Sequence, residues 1–135
     1  MADAHHTCIF SHLVLSGRCR CQMSAKDCFA EKEFGACQDQ IASQKCNALY
    51  EQLKQNSRFA LKTFDQNNLS VGQQSKIKMG GLLALQNLLN DTAEETIDDI
   101  HELVITIEQH YGHFDQLPFS QLMPKIASFK FRVKP

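Results

Sequence analysis

Six cysteines, Cys8, Cys19, Cys21, Cys28, Cys37 and Cys46, fall in the first third of this 135-residue chain, and the 89 residues after Cys46 hold none. Thiols concentrated in this way serve one of three chemistries: metal binding, dithiol redox exchange or a covalent frame. Spacing helps to choose among them. No Cys-x2-Cys pair occurs, so the knuckles of zinc fingers and ribbons and the thioredoxin-type motif are both missing. Ligands drawn singly from separate segments suit an iron–sulfur cluster, which needs four thiolates in a dry pocket. We therefore expect an iron–sulfur cluster, with the four-iron, four-sulfur form in view, ahead of zinc or copper. Its expected ligands are Cys8, Cys21, Cys37 and Cys46, one from each segment of the N-terminal third.

Cys19 is the nearest substitute, two residues from Cys21, and Cys28 reads as a small buried hydrophobe. All six cysteines serving as core filler is the plain alternative. Arg18 and Arg20 alternate with Cys19 and Cys21. In an extended segment the two guanidiniums share one side, placed to offset the negative charge of a bound cofactor and to hydrogen-bond its sulfurs.

Other reactive types carry weaker signals. His5, His6 and His12 flank Cys8, but a chain end is more often solvated than ligating. Asp98 and His101 have the spacing of half a di-iron carboxylate site, whose second half is missing. His110 and His113 flank the expected end of a helix. No Gly-rich phosphate loop or Ser-His-Asp arrangement stands out. The expectation is a protein that is not an enzyme.

The elements that would position these residues read as helical. We expect an all-α fold: a small bundle of four to five helices, an irregular Cys-rich N-terminal arm, and an extended basic and aromatic C-terminal tail. The whole forms one domain, 1–135, with the arm and a short helix over 1–36, the helical core over 37–127 and the tail over 128–135. Ser24 and Asp27 suggest a capped short helix from about Ala25 to Phe34. From Cys37 to Phe64, Cys46, Leu49, Tyr50, Leu53 and Ser57 recur at helical spacing. That spacing sets Cys37 and Cys46 on opposite sides of a continuous helix, so they meet only if Cys37 lies at or before its first turn, where the helix dipole favours a thiolate. Ser70 with Gln73, and Thr92 with Glu95, mark the starts of two more helices, the second ending at Gly112. The first of these is apolar almost all round at Met79–Leu85 and should be central, its Gly80–Gly81 pair admitting another backbone. Pro124 should interrupt a short helical turn.

Composition bounds the function. Apolar content of 43%, charged content of 21% and a net charge of −1 describe an ordinary globular chain without a field for nucleic acid. No run is apolar enough to span a membrane. The N-terminus makes a poor signal peptide, so a cytoplasmic location is expected, where reducing conditions disfavour structural disulfides.

The expected role is a non-catalytic electron carrier, or an accessory subunit of a larger redox or metallocofactor enzyme. Two alternatives stand beside it. One is a metal-free module that docks through its tail, with Phe129, Lys130, Phe131 and Arg132 as partner-binding residues. The other is a thiol redox sensor acting through Cys19 and Cys21, which requires exposed thiols of low pKa.

Overall fold

The computed structural model describes residues 6–29, 32–60, 70–90 and 95–130, the strands and residues 59–60 by backbone alone. In chain order it contains β1 (His6–Thr7), α1 (Ser11–Leu15), β2 (Ser24–Phe29), β3 (Lys32–Cys37), α2 (Gln40–Ala60), α3 (Val71–Asn90), α4 (Ile100–Tyr111), a 3-10 turn over Phe114–Gln116, and α5 (Phe119–Ser128). The body is a small all-α bundle in which α3 packs against α2, α4 and α5.

Helical spacing of apolar residues explains the packing. Along α2, Ala42, Cys46, Leu49, Tyr50, Leu53 and Ser57 are buried on one stripe. They face Ile77, Met79, Leu82 and Leu85 of α3 across a core shared with Ile100, Leu103, Val104 and Ile107 of α4 and Leu122, Met123 and Ile126 of α5. The Ser70–Gln73 capping box forms as expected, with Gln73 N donating to Ser70 Oγ at 3.1 Å and Ser70 N to Gln73 Oε1 at 3.0 Å. The paired glycines admit neighbours. A Cβ on Gly80 would lie 3.3 Å from Ile126 Cα and 3.2 Å from Phe129 Cβ, and one on Gly81 only 2.7 Å from Leu53 Cδ1. Gly112 ends α4 at a φ of 87°, a conformation that favours glycine.

Four local expectations change. The segment expected as a short helix from Ala25 to Phe34 is a hairpin: β2 and β3 pair antiparallel from Ser24↔Cys37 to Phe29↔Lys32, and β1 adds to β3 through His6↔Cys37 and Thr7↔Ala36. Phe29 and Phe34 would stand about 140° apart on a helix, so helix formation could not gather them on one face. The arm therefore carries a three-stranded sheet ordered β1-β3-β2.

The long helix starts at Gln40, not Cys37, because Asp39 Oδ1 accepts from the backbone of Ile41 and Ala42 at 2.9 and 3.1 Å. Likewise α4 starts at Ile100, capped by Asp99, since the backbone of Ile97 and the N–H of Ile100 are used in pairing with the arm. Finally, α5 runs through Pro124, whose helix is held by the burial of Leu122, Met123 and Ile126.

Candidate metal centre

The arm reaches the bundle through a backbone seam. Arg20 N donates to Ile97 O at 2.8 Å, Ile97 N to Arg18 O at 3.1 Å, and Ile100 N to Arg20 O at 2.8 Å. Phe10 and Leu13, both fully buried, anchor the other side of the arm. Burying such side chains stabilises by about 1.5–3 kcal/mol each. Gln38 N donates to Met23 O at 2.8 Å and closes the arm onto the start of α2.

These constraints bring Cys8, Cys21 and Cys46 to one cavity. Its wall is completed by Ile9, Met23, Ala42, Ser43, Ile100 and His101, and its volume is about 10 Å³, space for roughly one water-sized body. Cys46 comes from the buried stripe of α2, while Cys8 and Cys21 are half-buried and come from the arm. Phe10 N donates to Cys8 Sγ at 3.4 Å, a contact of the kind that tunes a metal-bound thiolate. Among the described residues, no three His, Cys, Asp or Glu side chains stand close enough to grip one ion. Metal would therefore have to draw the donors inward from the cavity wall.

No protein-family model, curated protein or solved structure matches this chain. The geometry of the cavity must carry the functional argument.

Cys37 ends β3 and pairs with His6 and Ser24, so its backbone is adjacent to that of Gln38, which bonds to Met23 on the cavity wall. It precedes α2, as the helical-wheel argument requires, but the dipole argument made for it does not apply. Cys46 lies beyond the first turn of α2 and gains nothing from the helix N-terminus either. Cys28 is opposite Glu33, four register positions from the Ser24–Cys37 pair.

Cys19 is 1% exposed, and its thiol donates to Met79 Sδ at 3.6 Å. Burial, reinforced by neighbouring Cys8, pushes its pKa up to about 12 against the pull of Arg18. The redox-sensor alternative, which joined Cys19 to Cys21, asks for exposed thiols of low pKa; Cys19 is buried with a raised one and Cys21 is half-buried.

Neither Arg18 nor Arg20 is among the residues of the cavity wall. Arg20 pairs with Asp98 at 3.4 Å on an exposed surface, a contact worth at most about 1 kcal/mol. The half-buried cation with an electrostatic link to Cys8 is instead Lys78, whose ammonium lies 5.0 Å over the Tyr50 ring. Burial holds its pKa below the usual lysine value, an effect opposed by Cys8 and aided by Lys54.

His12, His110 and His113 are exposed, whereas His101 is half-buried on the cavity wall. The sequence marked His101 only through its spacing from Asp98. The signal that counts, its position beside buried Ile100 at the start of α4, emerges once the helix start is known. At the C-terminal end, Phe129 is half-buried against Gly80 and Lys130 is exposed; Phe131 and Arg132 lie outside the described residues. No helix among the described residues is long and apolar enough to cross a membrane.

Proposed function

We propose that this chain is a non-catalytic metalloprotein of the cytosol, its centre an iron–sulfur cluster held by cysteine thiolates. It serves a larger redox or metallocofactor enzyme as electron carrier or accessory subunit. The observation that supports this reading is the meeting of Cys8, Cys21 and Cys46 at one cavity, although they come from three separate segments. Cys37 is the fourth thiolate that the spacing of the sequence offers.

The cluster rests on the absence of Cys-x2-Cys knuckles and on the scattered origin of the ligands. Ile9, Ala42 and Ile100 give the cavity apolar walls, which restrict solvent access and so raise the influence of each nearby charge and N–H donor on a bound metal. The cavity, about 10 Å³, is smaller than a cluster, so a cluster would push the Cys8–Met23 arm outward from α2. Cys46, fixed in α2, would remain in place.

The test is iron and acid-labile sulfide analysis of protein purified without oxygen. Iron and sulfide in matching amounts, with brown colour and broad visible absorption, are expected. A single metal ion without sulfide would leave a thiolate centre and remove the cluster. A folded, colourless and metal-free chain would remove both.

A further inference from the structure

The start of α4 has two faces. Ile100 and His101 line the thiol cavity, while Glu102 and Leu103, on the other side of the helix, line a separate open groove of about 400 Å³. Its far wall is the last turn of α3, with Gln86 and Leu89. Grooves of this size take a ligand or a few side chains of a partner. Leu103 is buried and Leu89 half-buried, which gives an apolar floor; Asp98 and Glu102 are exposed beside it, with Asp99 half-buried between the two cavities.

The walls are fixed to each other before any guest arrives. Gln86 Nε2 donates to Thr96 O at 3.0 Å and joins α3 to the approach to α4. The Asp99 carboxylate caps α4 and accepts from Gln22 N and Nε2 at 3.2 and 2.7 Å. A preformed groove loses little freedom on binding. Its charge is one-sided. None of the described lining residues is basic, and the last turn of α3 carries no basic residue to offset the partial negative charge of its carbonyl end. Three carboxylates add to that field. Arg20 meets it from outside, with Nη2 at 3.4 Å from Asp98 Oδ1, and so displays the kind of group that the edge of the groove accepts.

We infer that the groove between α3 and α4 is the docking site for a lysine- or arginine-bearing segment of the partner protein. An apolar side chain of that segment sits on Leu89 and Leu103, and its cations face Asp98 and Glu102. That the partner is a redox enzyme rests on the function proposed above, whereas recognition of a basic segment rests on the groove alone. A partner held here lies about one helix width, roughly 10–12 Å, from the thiol cavity.

The metal-free chain is titrated with a short fluorescent lysine-rich peptide carrying one leucine, and with its glutamate counterpart. The lysine peptide should bind, the glutamate peptide should not, and added salt should weaken binding. Joining Asp98→Asn to Glu102→Gln should weaken the lysine peptide about fivefold. Glu51→Gln removes an exposed carboxylate of α2 outside the groove and should bind as the parent does. Circular dichroism of each variant separates lost binding from unfolding. No binding, no loss in the double variant, or an equal loss in Glu51→Gln overturns the inference. Spermine bound as tightly as the peptide would make this a polyamine site, and a dimer of the chain that the peptide disperses would give the groove to a second copy; either overturns the partner assignment. The titration needs no metal, so its failure leaves the thiolate centre intact, and a chain that never takes up iron can still bind the peptide.

Discussion

A buried hydroxyl without a hydrogen bond costs a fold about 1–3 kcal/mol, and Tyr50 carries such a group among the described residues. Its ring earns the position, lying in the core beneath the ammonium groups of Lys54 and Lys78 at 5.5 and 5.0 Å. Tyr50→Phe keeps the ring, so we expect a gain of about 1 kcal/mol in urea denaturation. The same substitution should change the alkaline limb of stability. Burial pushes the Tyr50 hydroxyl above its ordinary value of 10, so the folded chain keeps a proton that the unfolded chain releases. Its contribution is therefore complete below about pH 10 and lost as pH rises through the folded value. Tyr50→Phe should flatten that loss, and an unchanged slope above pH 10 would place its origin elsewhere. Gly80 and Gly81 make a second test at this scale. In an open helix each change to alanine would gain about 1 kcal/mol. Here a methyl on Gly80 meets the Ile126 backbone and Phe129 Cβ, whereas one on Gly81 meets only the end of the Leu53 side chain, so overpacking of about 1–3 kcal/mol should fall on Gly80→Ala and leave it less stable than both the parent and Gly81→Ala. A higher denaturation midpoint for Gly80→Ala than for the parent would mean that α3 and α5 separate more easily than their packing suggests.

Helix starts divide into those the sequence displays and those that tertiary contacts decide. Ser70 and Gln73 are near neighbours that satisfy each other's backbone, so local pattern suffices for α3. Thr92 and Glu95 have the same spacing, yet α4 begins only at Ile100, because the backbone of Ile97 is committed to Arg18 and Arg20 of the arm. No window around residue 95 contains that information. The β2–β3 hairpin was hidden for a similar reason: its pairing is reinforced by β1 and by α1 packed on β3, whereas Ser24 and Asp27 imitate a helix cap. Asp99 is the element-level residue most open to test. It caps α4 and bonds Gln22 of the arm, so Asp99→Ala should cost about 1–3 kcal/mol. Asp99→Asn, which keeps an acceptor, should cost less. Equal midpoints for the two variants by chemical denaturation would mean that the acceptor oxygen contributes little.

Across the whole molecule, the apolar stripes of α2 and α3 were legible because helical spacing repeats over many residues. Of the four expected ligands Cys8, Cys21, Cys37 and Cys46, chosen by asking which segments could meet, Cys8, Cys21 and Cys46 line one cavity and Cys37 is described by its backbone alone. His101 was not legible, since its place depends on a helix start set by the arm. The expected partner surface in the tail can be tested by truncation. Phe129 packs against Gly80, so truncation before it would damage the bundle. Removing residues 131–135 instead keeps Phe129 and Lys130, and the melting temperature of the shortened chain is the control for its fold, since roughly 1 kcal/mol moves a domain of this size by several degrees. If the tail docks the proposed partner enzyme, the shortened chain should lose affinity for it; equal affinity would remove the tail from the docking surface.

The seam between the arm and α4 also sets an order of events in the life of the chain. Gln22 and Asp99 are 77 positions apart, so a growing polypeptide has made every thiol long before the segment that completes their enclosure leaves the ribosome. Until α4 docks, the sulfurs are open to oxidants and to any competing ion. Loading of the proposed centre would then follow tertiary folding, and would call for a supplier that recognises the finished apo form or for a period of safe-keeping for the exposed nascent arm.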